Sequence, residues 1–155
     1  MKRDIKLDEL DKDILRKLQN DATISYKDLA SEIGAPESTI YDRTKRLKEQ
    51  KIIKAVVPLL DSEKLGILTT AYIRVSIDKI SEIRKIAEQI AKLDEVLEVH
   101  EISGEWDILV KVKVKTNKEL RDLEVEKIGT IKGIRGLYSL ICIGTVKEDI
   151  RVSIK

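Results

Sequence analysis

Gly34-Ala35-Pro36-Glu37-Ser38-Thr39-Ile40-Tyr41-Asp42-Arg43-Thr44-Lys45-Arg46-Leu47 reads as a tight turn followed by a short helix with two separable faces. Ile40, Thr44 and Leu47 fall at i, i+4 and i+7 and share one face. Ser38, Thr39, Asp42, Arg43, Lys45 and Arg46 are left mostly on the others. A hydrogen-bonding front with cationic flanks suits insertion into a DNA major groove. The same pattern fits an ordinary solvated amphipathic helix, so the flanking residues have to decide.

Upstream lie two more helices. Leu7, Leu10, Ile14, Leu15 and Leu18 make a helical stripe, with Asp8 as its N-cap. Asn20-Asp21 ends it. Ser25 starts the second helix. Asp28, three residues on, makes an approximate capping box, with Asp standing where Glu or Gln is usual. Leu29, Ala30 and Ile33 face inward, and Gly34 closes the helix because glycine tolerates the left-handed conformation. Downstream, Lys51-Ile52-Ile53-Lys54-Ala55-Val56-Val57 reads as a strand stopped by Pro58. Helix, helix, tight turn, helix, strand is the order of a winged helix-turn-helix. Pro58 to Gly66 reads as a linker, with Asp61, Ser62 and Gly66 as its polar and flexible positions.

Charge is segregated rather than large. The net charge of the 155-residue chain is +2. Residues 1–42 hold seven Lys/Arg against ten Asp/Glu, a net of −3. Residues 43–54 hold six basic residues against Glu49, a net of +5, which suits phosphates or, more plainly, a helix C-terminus. Charged residues reach 37%, against about 25% on average. Abundant Lys, Glu and Ile fit a heat-adapted protein with surface ion-pair networks.

The second half has strand rhythm. Ala71, Ile73, Val75 and Ile77 alternate with Tyr72, Arg74 and Ser76. Ser81 caps a helix whose stripe is Ile83, Ile86, Ala87, Ile90 and Ala91. Leu97 to Ser103 is a second strand and Gly104-Glu105-Trp106-Asp107 a turn. Ile108, Val110, Val112 and Val114 alternate with Leu109, Lys111, Lys113 and Lys115. Asn117 caps a helix carrying Leu120, Leu123 and Ile128. Gly129 to Gly136 is a loop, and Leu137 to Val146 is the last strand. The order βαββαβ is ferredoxin-like, which assigns no role by itself. The fold class is therefore α+β.

Catalytic chemistry finds little material. His100 is the only histidine and reads as a structural or interface residue. One His and one Cys cannot build a zinc site, and neither standard phosphate-binding glycine loop is present. Cys142, in an apolar run, packs as a small hydrophobe in a reducing compartment. Met1 to Leu10 is charged throughout, so no signal peptide is expected, and no apolar run approaches the ~20 residues of a membrane span. A cytoplasmic location follows as the expectation. The only tryptophan stands in the Gly104–Asp107 turn. Its indole either covers an apolar patch or interface, or belongs to a ligand site. In a ligand site, turn N–H groups would hold a carboxylate, and Glu105 or Asp107 an ammonium. Either carboxylate can instead bond the backbone.

Taken together, these segments resemble the leucine-responsive regulatory protein/AsnC family, the feast/famine regulators. The likeness runs through Leu7 to Asp21, Ile24-Ser25, Leu29-Ala30, Asp42 to Leu47, Ile52-Ile53 and the Gly104–Asp107 turn. It implies a DNA-binding domain over 1–57, a linker over 58–66, and a RAM-type effector-binding and oligomerisation domain over 67–155. It also implies a homodimer through the sheet domains, built up into tetramers, octamers or larger rings. A small amino acid would bind near Ser103, Gly104, Glu105, Trp106 and Asp107, with Gly129, Thr130 and Ile131 as the opposing wall. The polar Ser103, Glu105 and Thr130 make glutamine a first guess. Double-stranded DNA would meet Ser38, Thr39, Asp42 and Lys45 at base edges or in the groove, and Arg43, Arg46, Lys48 and Lys51 at phosphates. Some of these cations can instead pair within the helix, as Asp42 with Arg46. No cofactor, metal or catalytic residue is expected. Pro36 and Tyr41 depart from the family pattern, the one unable to cap by side chain, the other replacing an aliphatic residue. Two rivals remain: a nucleoid-organising protein bound through the 43–54 charge, and a haem-pathway decarboxylase, against which a single histidine argues.

Overall fold

The computed structural model of the chain describes residues 6–155, so the first five residues of the charged start lie outside it. The chain divides into two compact units, 1–59 with 148–155, and 60–147.

The first unit is helical. Helix α1 (Glu9–Asn20) is opened by a complete capping box. Asp8 accepts from Asp11 N at 2.9 Å, and Asp11 Oδ2 accepts from Asp8 N at 3.3 Å. Each bond satisfies a donor that the first helical turn leaves without a partner. Helix α2 (Tyr26–Ile33) starts at Ser25, whose hydroxyl accepts from Asp28 N at 3.1 Å. The box here is half made, because Asp28 Oδ2 takes the Ser25 hydroxyl at 2.6 Å instead of the cap backbone. Gly34 closes α2 at φ +76°, where a side chain would be strained. Helix α3 (Glu37–Glu49) follows Pro36, which supplies no side-chain cap. Ile14, Leu15, Leu29, Ala30, Ile40 and Leu47 form the core.

The strand expected over Lys51–Val57 is absent. Lys51 takes a positive φ of 57°, and the amides of Ile52 and Ile53 both turn back to Leu47 O, at 3.0 and 3.2 Å. Both isoleucines then pack on the helical core rather than alternate along a strand. Val56 and Val57 stay exposed, with no ladder to join. The helix-turn-helix therefore carries no β-wing among the described residues.

The second unit is a four-stranded antiparallel sheet in the order β2-β3-β1-β4, from β1 (Thr69–Ile77), β2 (Val96–Glu101), β3 (Ile108–Val114) and β4 (Ile134–Ile141). Helix α4 (Ile83–Ile90) and helix α5 (Asn117–Asp122) supply Ile86, Ala87, Ile90 and Leu120 to the core. Ala71, Ile73 and Val75 meet Ile108, Val110 and Val112 there, in the alternation of a half-buried sheet. Tyr72, Arg74, Leu109, Lys111, Lys113 and Tyr138 lie on the opposite face, away from the core that the described helices of this unit cover.

Boundaries moved where neighbouring residues compete. Ser81 does not cap α4; it sits in a 3-10 turn (Ile80–Glu82), and α4 begins without a side-chain cap. Thr116, not Asn117, caps α5, accepting from Glu119 N at 3.1 Å. The second strand runs Val96–Glu101 instead of Leu97–Ser103. The loop after Gly129 is shorter than expected, because β4 begins at Ile134. That strand also ends early. Cys142 N donates to Thr70 O at 2.9 Å, and the chain then leaves the sheet. Residues 148–155 group with the helical unit.

Candidate DNA-reading helix and effector turn

Burial of Ile40, Thr44 and Leu47 fixes how α3 is rotated. Ser38, Asp42, Lys45 and Lys48 then share the exposed front, with Thr39 half-buried at its edge and Lys51 exposed just beyond the helix. Tyr41 belongs to this front too. It is 49% exposed and meets Tyr26 edge to face, ring centroids 5.4 Å apart. Lys45, Lys48 and Lys51 carry no ion pair among the described residues, so their charge faces solvent.

Arg43 and Arg46 are placed differently. The sequence suggested phosphate contacts, or an Asp42–Arg46 pair. In the fold, both guanidiniums turn to the start of α1. Arg46 Nη2 sits 2.6 Å from each carboxylate oxygen of Asp11. Arg43 Nη1 reaches Asp11 Oδ1 at 3.1 Å and also pairs with Asp8 Oδ2. Asp11 is only 1% exposed, so two partly exposed arginines neutralise a buried carboxylate. The Arg43 hydrogen bond holds the Asp8 carboxyl below its ordinary range, and Asp8 in turn raises the Arg43 pKa. Thr44 Oγ1 and Arg46 Nε are buried without a hydrogen-bond partner. Asp11, which holds both arginines in place, is a residue that sequence reading missed. Its only local signal was the three-residue spacing to Asp8.

The effector candidates gather at the C-terminal end of β1. Asp107 Oδ2 accepts from Ile77 N at 2.9 Å, Asp107 N donates to Val75 O at 3.0 Å, and Ile102 N donates to Asp107 O at 2.9 Å. This carboxylate clamps a neighbouring strand, the backbone role left open above. Ser103, Gly104 and Glu105 are exposed. The half-buried Trp106 lies 5.9 Å from the Tyr138 ring, and the Arg74 guanidinium stands 5.2 Å from that same ring. The indole therefore leans on the open sheet face.

Gly129, Thr130 and Ile131 reach the same end of the sheet from the other side. Gly133 O accepts from Asp78 N at 2.9 Å, and Ile134 opposes Ile77. Helix α5 continues as a π-helical turn (Leu123–Ile128), closed by Gly129 N to Glu124 O at 2.7 Å. A Cβ on Gly129 would stand 2.8 Å from that oxygen, so close backbone approach requires glycine. Thr130 Oγ1 donates to Lys127 O at 2.8 Å, leaving its lone pairs as acceptors, while Ile131 packs on the core. Burial raises the Glu124 pKa, and one of its carboxylate oxygens is buried without a partner. Among the described residues no hydrogen bond, ion pair or ring contact joins 103–107 to 129–131.

Sequence reading did not foresee a cleft of about 310 Å³ between α4 and β2. Arg84, Ala87, Glu88, Ala91, Val99 and Glu101 line it, with His100. The Arg84–Glu101 pair spans 3.0 Å across the lining. His100 Nε2 lies 3.1 Å from Glu98, which also pairs with Lys111. Among the described residues no group of three or more His, Cys, Asp or Glu could hold a metal ion, and no helix is long and apolar enough to cross a membrane.

Comparison with known proteins fits both units. The AsnC-type helix-turn-helix domain matches residues 7–48, and the Lrp/AsnC ligand binding domain matches residues 70–152. HTH-type transcriptional regulator FL11 of Pyrococcus horikoshii is 35% identical over 151 residues, 97% of this chain and 99% of the relative. The structure of Escherichia coli AsnC superposes with a TM-score of 0.85 at 26% identity, covering 96% of this chain and 98% of that one. In fold alone, the L-Met complex of the transcriptional regulator NMB0573 from Neisseria meningitidis is similar at a TM-score of 0.88 and 24% identity, over 96% and 97% of the two chains. A helix-turn-helix with an exposed polar front, followed by a sheet unit that the ligand-binding family spans from 70 to 152, places the chain in the Lrp/AsnC family of transcriptional regulators.

Proposed function

We propose that this regulator reads double-stranded DNA with the front of α3 and that a small amino acid at the sheet unit modulates its assembly or its DNA binding. The observation that carries the first part is the exposed row Ser38, Asp42, Lys45 and Lys48, backed by fully buried Ile40 and Leu47. Ser38, Thr39, Asp42 and Lys45 supply donors and acceptors for base edges, and Lys48 and Lys51 supply charge for phosphates. Arg43 and Arg46 serve phosphates only through the donor groups left over from Asp8 and Asp11. A dimer would set two such helices in successive major grooves of a roughly palindromic site.

The uncovered sheet face supports the dimer, with Tyr138 51% and Leu140 38% exposed. Larger rings would follow from further faces of the same unit. The effector would sit between dimers, near the Ser103–Asp107 turn, with Gly129–Ile131 as the opposing wall. Backbone N–H groups of the turn suit a carboxylate, and Glu105 suits an ammonium. The L-Met complex of a protein of this fold supports the amino-acid class. Ser103, Glu105 and Thr130 keep glutamine as the first compound to try. Such a regulator would catalyse no reaction and would work in the cytoplasm.

Selection of bound DNA from a random pool, with and without each amino acid, tests this reading. An enriched motif whose yield or spacing changes with one amino acid is expected. Uniform recovery of all sequences would replace sequence-specific reading with nucleoid-type binding. On the selected site, Lys45→Ala should weaken binding and relax the motif at the position it contacts, whereas Lys48→Ala should lower the salt slope by about 0.9 for the lost phosphate contact. Unchanged affinity would remove Lys45 from the interface.

A further inference from the structure

We propose that the outward stripe of α1 is a docking site for an extended peptide, and that its occupant is the C-terminal tail of the same chain. Arg16, Gln19 and Asn20 fall at i, i+3 and i+4, so they share one face of the helix. Gln19 exchanges two hydrogen bonds with one tail residue: its Nε2 donates to Val152 O at 3.1 Å, and its Oε1 accepts from Val152 N at 2.8 Å. Two residues on, Ile154 O accepts from Arg16 Nε at 3.1 Å. The spacing of two is that of a strand edge, so a helix face reads the main chain of an extended segment. Arg151 Nη1 adds a bond to Asn20 Oδ1 at 3.0 Å. The Ile154 side chain packs on the core of the helical unit.

The recognised chemistry is therefore an extended backbone with an aliphatic anchor at its far end. The segment that delivers it is built to reach. Residues 142–147 form no helix or strand, and Ile143 and Val146 are fully exposed. Six residues span at most ~20 Å. The chain thus runs between the two units twice, once after Leu59 and once before Glu148. The docked tail is a second tether on the helical unit. It holds α1, and α1 carries the Asp11 carboxylate that grips Arg43 and Arg46 of α3.

Hydrogen exchange on the DNA-free, effector-free protein tests the tether independently of the proposed function. The full chain is compared with a chain ending at Glu148, and with Gln19→Ala and Ile154→Ala in the full chain. The expected result is exchange in α1 faster by about ten-fold in the truncated chain, with smaller increases in the point variants and β1 and β3 unchanged. Excess synthetic peptide of residues 146–155 should restore α1 protection in the truncated chain. Unchanged α1 exchange, equal acceleration in the sheet, or no rescue by the peptide would each overturn the docking. Amine cross-linking of Lys155 to Lys12 or Lys17 in refolded mixtures of nitrogen-14 and nitrogen-15 protein should give only products of one isotope. Mixed products would assign the tail to a second copy and overturn the tether.

Discussion

Asp11→Ala should loosen the helical unit and leave the sheet unit alone. The substitution removes three things at once. It deletes the acceptor that Asp8 N uses in the capping box, a cap bond of about 1 kcal/mol. It strips Arg46 of both its carboxylate contacts and Arg43 of one. It also empties a site that is 1% exposed. Breaking a fully buried ion pair costs about 3–5 kcal/mol, because the surviving charge is stranded. Here the arginine side chains are 28% and 43% exposed and can turn back to water, which removes most of that penalty. The total comes to about 2 kcal/mol, or roughly 8–16 °C in the melting of so small a unit. Urea unfolding followed by helix circular dichroism reads the helical unit together with the sheet. Fluorescence of Trp106, which lies in the sheet unit, reads that unit by itself. The first transition should move and the second should not. A double-mutant cycle with Arg46→Ala should show coupling of at least about 1 kcal/mol. A loss below about 0.5 kcal/mol, with no coupling, would make these contacts ordinary surface ion pairs and refute the anchoring role.

Acid should release the Asp8–Arg43 pair. The folded carboxyl titrates below its ordinary 3.8, so its stabilisation is complete above that value and fades as pH falls through the depressed one. Carbon-13 titration of the Asp8 carboxyl should show the low midpoint, and Arg43→Gln should return it toward 3.8. Gly129→Ala should force the π-helical turn open, since its Cβ would stand 2.8 Å from Glu124 O. A loss of about 1–3 kcal/mol in the Trp106-monitored transition is expected, and wild-type stability would show that the turn relaxes freely. Asp107→Ala should leave Ile77 N without its side-chain acceptor and cost about 1–2 kcal/mol in that transition. A neutral result would free Asp107 for a ligand alone.

What could be read from the sequence was local. Asp8, Ser25 and Gly34 terminate helices through bonds within a few residues, and all three do so where expected. The β1 and β3 alternations carry their own period, so both strands stand. Asn117 failed because Thr116 took the terminus, and Ser81 because a 3-10 turn precedes α4, which starts with no side-chain cap. Lys51–Val57 failed because a strand requires a partner, and composition cannot supply one. The arginine anchoring was out of reach for a different reason. Asp11 stands 35 residues before Arg46, and nothing in either neighbourhood specifies the other. The tail on α1 is more remote still, with Ile154 and Arg16 separated by 138 positions.

The division of labour on α3 has an evolutionary corollary. The bolts that fix the helix, Ile40, Thr44 and Leu47 behind and Arg43 with Arg46 at the side, share no position with the outward Ser38, Tyr41, Asp42 and Lys45. If the outward row reads DNA as proposed, a duplicated copy could rewrite Ser38, Asp42 and Lys45 and acquire a new set of promoters while these bolts stay untouched. Drift in Asp11 is less free, since its one carboxylate serves two arginines and a helix cap.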